Sequence, residues 1–245
     1  WLHRYSQVAP AQADGLIFDS ICAPGQCELG YSWAKGFDEV GRQILDRCTL
    51  DVTCGSRLPD PVGAIEQLYA DLDAGHCPGL GLEGGEVSSA LARAIRIRDL
   101  QPYLAAAVYR MQRCSEQDVA ALETFFTLIN DNLGRPRTAP ASTVLALQVG
   151  LSELYAKPTP EQLSELDSWI LMASDVPGST EMFDVWPRYE PDQFYDSMTE
   201  TAVPALLLQG DFDPQTPPRV ATNLRDRLTG PGQTYVEVPF SAHNV

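Results

Sequence analysis

Apolar positions change rhythm twice along this chain. Near the start, Gly15-Leu16-Ile17-Phe18-Asp19-Ser20 sets three apolar residues in a row without alternation, the pattern of a short strand buried on both faces of a parallel sheet. Ahead of it, Trp1 to Gln7 reads as the remnant of an amphipathic helix, and behind it "ICAPGQC" is a turn-rich cysteine loop. From about Gly30 to Thr199 the rhythm becomes helical. In "DPVGAIEQLYADLDAG", Asp60 can cap, Pro61 suits the first helical position, and Gly75 stops the helix. Val62, Ile65, Leu68, Tyr69 and Leu72 then form one face. "SEQDVAALETFFTLINDN" opens with Ser115 and Asp118 at capping-box spacing and carries Val119, Leu122, Phe125, Phe126 and Ile129.

"EVSSALARAIRIRDL" and "TPEQLSELDSWILMAS" continue the helical pattern, whereas "GLGLEGGEV" follows no strand, lacks a phosphate-loop lysine and is expected to be a flexible loop. "FDVWPRYEPDQFYD", Phe183 to Asp196, holds two residues constrained by a following proline and predicts no regular element. It reads as a linker wrapping back to a core, or as the wall of an apolar pocket. The second change comes at Ala205 to Gln209, a strand, followed by "PRVATNLRDRLTG", a helix with Val220, Leu224 and Leu228 on one face and Gly230 at its stop. "TYVEVP" is a further strand, and strand, helix, strand in so short a span is a parallel β-α-β unit. The expected class is α/β: one open parallel sheet built from 1–30 and 200–245, interrupted by a mostly helical cap over 31–199.

Composition narrows the function. The chain has 245 residues, 44% of them apolar, enough for a packed core. No apolar run approaches the ~18–20 residues of a membrane span. Seventeen basic against 33 acidic side chains give a formal charge of −16. Such a field repels phosphate backbones, so nucleic acid is a poor partner. A solvated acidic surface is the ordinary reading, and a preference for cationic ligands such as free amines is the functional one. Six cysteines, an even number in loop-rich sequence, favour disulfides and a secreted or otherwise oxidising location. Cys22 with Cys27 and Cys48 with Cys54 are the local pairs expected first. There is no Cys-x2-Cys pair and only three histidines, His3, His76 and His243, so neither zinc nor another cofactor is expected. Trp1 carries no cap or initiator methionine and "SAHNV" follows directly on a strand, which predicts a chain that is part of a longer protein.

Ligands of open α/β sheets sit at the carboxyl ends of the strands. Asp213 falls three residues past Gly210 and His243 five past Val238. Neighbouring parallel strands lie about 4.8 Å apart, so loops leaving them can bring a carboxylate against an imidazole. In a nucleophilic hydrolase the acid fixes the histidine tautomer and the histidine takes the serine's proton. Asp211 competes with Asp213, but the Asp-Pro turn can aim Asp213 at the next loop. Thr216 with Pro217-Pro218 reads as the cap and first turn of the following helix. The same spacing is met by a turn acid and a surface histidine.

"VPALLLQGDFDPQTPPRVATNLRDRL" followed by "TYVEVPFSAHNV" resembles the C-terminal part of the proline iminopeptidase and tripeptidyl aminopeptidase family of α/β-hydrolases. The shared pattern is an apolar strand, Gly-x-x-Asp-x-x-Thr-Pro, a helix, a strand and a histidine, here Gly210, Asp213, Thr216, Pro217 and His243. "WLHRYSQVAPAQADGLIFDSI" is similar to the helix and strand after that family's nucleophile elbow, and Cys48 and Cys54 look like cap cysteines of secreted members. The resemblance implies an α/β-hydrolase fold with Asp213 as triad acid, His243 as base, and a nucleophilic serine shortly before Trp1.

No Gly-x-Ser-x-Gly occurs in the chain; "CGSRL" and "PGSTE" hold Gly-Ser away from any strand-to-helix turn. With nucleophile and oxyanion hole outside, these residues alone are expected to be inactive. "LQVGLSELYAKP" resembles a cap segment whose Ser-Glu pair faces the site, which makes Glu153 the candidate anchor for a substrate ammonium; otherwise it is a solvated helix glutamate. The implied function is a secreted aminopeptidase acting on short peptides with a free N-terminus. The alternatives are an esterase or lipase with the same triad, or a non-catalytic homologue or cap fragment that binds. The expected partners are a peptide or small ester substrate and the missing N-terminal α/β-hydrolase segment.

Overall fold

The three apolar runs that lack helical rhythm pair with one another. In the computed structural model, which describes residues 2–133, 142–172, 180–195, 197–198, 200–243 and 245, β1 (Leu16–Asp19), β2 (Ala205–Gly210) and β3 (Gln233–Val238) form one parallel sheet in the order β1-β2-β3. Leu16 pairs with Ala205, and Ala205 with Gln233; Phe18 pairs with Leu207, and Leu207 with Tyr235. The helices in chain order are α1 (Leu2–Val8), α2 (Tyr31–Leu50), α3 (Val52–Arg57), α4 (Pro61–Asp73), α5 (Gly84–Ala94) and α6 (Leu104–Arg113). They continue with α7 (Glu116–Leu133), α8 (Thr143–Val149), α9 (Pro160–Leu166), α10 (Thr180–Val185) and α11 (Thr222–Arg227).

The chain divides into two compact units. The first comprises residues 1–36, 142–162 and 176–245, and the second comprises 37–141 and 163–175. The sheet belongs to the first. On one face Leu16, Phe18, Ala205 and Leu207 are buried with Ala221, Leu224 and Leu228 from around α11, and Leu2 of α1 packs against them. Each such large side chain contributes about 1.5–3 kcal/mol when fully removed from water. The other face departs from the expectation of two-sided burial. Ile17 is 66% exposed, Leu206 36% and Val236 39%. A run of three apolar residues reads the same whether one or both of its faces find a cover, and here the described helices cover only one.

The second unit is helical, with α4 packed on α5 and α6, and α7 on α5 and α6. Its punctuation follows the sequence closely. Asp60 accepts the Gly63 amide, Pro61 opens α4, and Gly75 takes a φ of +90° after its end. Ser115 and Asp118 exchange side-chain and backbone hydrogen bonds ahead of α7. Two readings need correction. The expected loop "GLGLEGGEV" ends early, because Glu83 and Glu86 form a capping box that starts α5 at Gly84. "TPEQLSELDSWILMAS" is helical only to Leu166 in α9. The amides of Ile170 and Leu171 donate instead to the buried Asp38 carboxylate, at 2.7 and 3.0 Å, which draws the segment out of the helix.

All six cysteines are paired. Cys22–Cys27 and Cys48–Cys54 are the two local bridges expected, and Cys77–Cys114 ties the residues after α4 to the end of α6. Among the described residues no helix is long and apolar enough to cross a membrane.

Candidate active site

Because the sheet is parallel, the carboxyl ends of β2 and β3 lie side by side, and the loops leaving them meet. Asp213 is fully buried at the end of the β2 loop. Its Oδ1 accepts the backbone amides of Gln215 and Thr216 at 2.9 and 3.0 Å. Its Oδ2 accepts the Thr216 hydroxyl at 2.6 Å and faces His243 Nδ1 at 2.8 Å. A carboxylate that accepts here makes Nδ1 the donor, the tautomer that leaves Nε2 with a lone pair. The imidazole side chain stays 25% exposed above a carboxylate with no exposure.

The β3 loop is held on both sides of His243. The Ser241 amide reaches Asp211 Oδ1 at 3.4 Å, and the Val245 amide reaches Asp19 Oδ1, at the end of β1, at 3.2 Å. The two aspartates that end β2 thus divide their work, Asp213 on the ring and Asp211 on the backbone leading to it. Gly210 lets the loops approach. A Cβ there would lie 2.3 Å from the Ser241 carbonyl oxygen and 2.6 Å from that of Ala242. Its role is close approach, since its φ lies outside the left-handed region.

Two residues were not assigned to this arrangement from the sequence. Thr216 reads there as a helix cap, whereas its hydroxyl goes to Asp213 and also lies 3.3 Å from His243 Nδ1. Gln209, a fully buried amide at the end of an apolar strand, accepts the Ile21 amide at 2.8 Å through Oε1. Its Nε2 donates to the Thr216 carbonyl and, at 3.4 Å, to Asp213 Oδ2. The signal was a polar residue closing the run Ala205-Leu206-Leu207-Leu208.

Residues 178–244 match a family model described as TAP-like protein, one of the abhydrolase families. The match supports the α/β-hydrolase superfamily for the segment that carries Asp213 and His243. No curated protein matches the chain.

Glu153 sits on a π-helical turn, Gly150–Leu154, that continues α8. Such turns recur at functional positions. Glu153 is engaged by tyrosines rather than by the Asp213–His243 pair: Tyr189 donates to the carboxylate Oε1 at 2.5 Å, and Tyr195 donates to the Glu153 backbone carbonyl at 2.8 Å. Burial and the Glu153 hydrogen bond push the Tyr189 phenol up to about 12. The stretch from Trp186 onward runs along this turn, with the Trp186 indole donating to Gln148 Oε1 and the Gln148 amide donating to the Pro187 carbonyl. Its first residues, Phe183 to Val185, are helical in α10. Of the two Gly-Ser pairs, Gly55-Ser56 lies inside α3, and Gly178-Ser179 lies outside the described residues. Among the described residues no group of three His, Cys, Asp or Glu side chains has the arrangement to hold a metal ion.

Proposed function

We propose that Asp213 and His243 are the acid and general base of a serine-hydrolase triad, and that the complete protein is a secreted aminopeptidase acting on short peptides. The observation that carries this reading is the 2.8 Å contact between His243 Nδ1 and a fully buried, multiply hydrogen-bonded Asp213. The carboxylate fixes the ring so that Nε2 takes a proton from the attacking hydroxyl and later returns it to the leaving amine, while the carboxylate stabilises the imidazolium between. The serine and its oxyanion donors come from a segment preceding Trp1.

Glu153 is the anchor for the substrate ammonium in this reading. Tyr189 occupies one of its oxygens, and the other is left to accept from a cation. The disulfides and the −16 charge suit a secreted enzyme that draws in free amines.

The test uses the full-length protein and a fluorophosphonate probe. Labelling of the serine is expected, reduced by several orders of magnitude in His243→Ala. Free peptides should be cleaved and amine-blocked ones spared, with the discrimination lost in Glu153→Gln. Failure of the intact protein to label would overturn the enzyme reading, and equal cleavage of blocked and free substrates would overturn the aminopeptidase reading.

A further inference from the structure

Basic side chains are outnumbered in this chain, 17 against 33 acidic ones, yet three arginines share one cavity in the second unit. The cavity has a volume of about 290 Å³ and lies between α3 and α6, with Arg57, Tyr109, Arg110 and Arg113 in its wall. Arg57 is the last residue of α3, and Arg110 and Arg113 lie in the last turn of α6. A basic side chain at a helix C-terminus is ordinary, because it faces the negative end of the dipole. That preference acts on each helix separately and does not explain why two helices end their arginines on one hollow. The overall charge of −16 makes such a concentration of positive charge more distinct.

The guanidinium groups are fixed without being used up. Asp118, fully buried, accepts Arg110 Nη1 at 2.9 Å and takes Arg113 through Nε and Nη2 at 3.1 and 2.6 Å. The Arg113 and Ser115 hydrogen bonds hold the Asp118 carboxyl well below the usual carboxylate range, so it stays charged and keeps both arginines in place. Arg113 Nη1 and the Nε and Nη2 of Arg110 take no part in that pairing. Arg57 pairs with no carboxylate among the described residues, and its guanidinium stands 5.9 Å from the centre of the Tyr109 ring, as Arg113 does at 4.9 Å. Asp51 is the lone acid of the wall, and its Oδ1 is committed to the Cys54 amide. Three positive charges against one in the wall, or two counting Asp118, leave a net positive site. Pro102, Ala105 and Ala106 supply apolar surface beside it.

We propose that this cavity binds a small oxyanion, with Arg57 and the N–H groups of Arg110 and Arg113 not given to Asp118 gripping the charged head and Tyr109 lying against the carbon skeleton. Guanidinium forks match the paired oxygens of carboxylates, phosphates and sulfates, and these charge-assisted bonds are the stronger class. The size limits the ligand to a headgroup with a few carbons, since ordinary ligand pockets start at about 300 Å³. The site is independent of the Asp213–His243 pair and owes nothing to the hydrolase reading.

Isothermal titration of the whole chain with inorganic phosphate, sulfate and benzoate, each against chloride at equal ionic strength, tests it. Saturable binding of at least one oxyanion is expected, weakened about tenfold or more in Arg57→Ala. Arg57 is the residue to remove because it leaves Asp118 paired; Arg225→Ala, an arginine of the first unit, should bind as the parent does. A preference for benzoate identifies a carboxylate ligand, and a preference for phosphate and sulfate an ester. Absence of saturable binding with all three probes, or equal binding by Arg57→Ala, overturns the proposal.

Discussion

Gly210→Ala is the substitution whose consequence can be worked furthest. The added Cβ would stand 2.3 Å from the Ser241 carbonyl oxygen, 2.6 Å from that of Ala242 and 2.8 Å from the Ser241 carbonyl carbon, all backbone atoms. Reaching an ordinary contact of 3.4 Å requires the β3 loop to retreat by 3.4 − 2.3 = 1.1 Å. That retreat pulls on the Phe212 amide bond to the same oxygen, now 3.0 Å, and carries His243 away from its 2.8 Å contact with Asp213. Overpacking costs about 1–3 kcal/mol and a lost backbone hydrogen bond about 1 more, so a loss of about 2–4 kcal/mol is expected. Urea unfolding reads the stability, and low-temperature proton NMR reads the Nδ1 proton shared with the carboxylate, which Gly210→Ala should shift or broaden. Unchanged unfolding together with an unchanged imidazole signal would refute the close-approach argument. The NMR readout needs no nucleophile, so it tests the dyad apart from activity.

Thr216→Val keeps the shape and removes the hydroxyl that reaches Asp213 at 2.6 Å, which should cost about 1.5–3 kcal/mol in urea unfolding; a change below about 0.5 kcal/mol would mean the hydroxyl is dispensable. Replacing Cys77 and Cys114 by serine opens a loop with a sequence separation of 37, which loop-closure entropy puts at about 4 kcal/mol, against about 2 for Cys48–Cys54 with its separation of 6. Equal losses in the two pairs would argue against that entropic origin. Burial, with the nearby Asp38 charge, raises the Tyr69 phenol pKa above its ordinary value of 10.0, and its hydroxyl donates to the Ile170 carbonyl at 2.7 Å. The fold therefore favours the neutral phenol. Stability is full below about pH 10 and falls above it by up to about 1.4 kcal/mol per pH unit until the folded pKa is reached. Tyr69→Phe should lack that alkaline fall, and parallel pH profiles for parent and variant would contradict the assignment.

The sequence was most legible where one local rule acts alone. Asp60-Pro61 and Ser115-x-x-Asp118 announce helix starts because capping chemistry involves neighbours only. Ala205 to Gln209 and "TYVEVP" announce strands because no helical periodicity competes. The Asp213–His243 meeting followed from parallel topology, which sets strand ends side by side whatever the loops contain. Thr216 and Gln209 were harder, since their partners are fixed by the third dimension: a threonine before Pro217-Pro218 looks like a cap until the path of the chain turns it toward Asp213. The same holds for the end of α9, where Asp38, more than a hundred residues earlier, claims the amides of Ile170 and Leu171. Glu153 was legible as a residue to watch, but its engagement with Tyr189 and Tyr195 lies beyond local spacing.

Ile17, Leu206 and Val236 make the side of the sheet that no described helix covers a matter of handling as well as architecture. In concentrated solution this greasy stripe is the place where molecules would stick to one another or take up a fluorescent hydrophobic dye while fully native. Dye uptake by this protein is thus poor evidence of unfolding, and a threonine at position 17 is the first change to make when a preparation clouds.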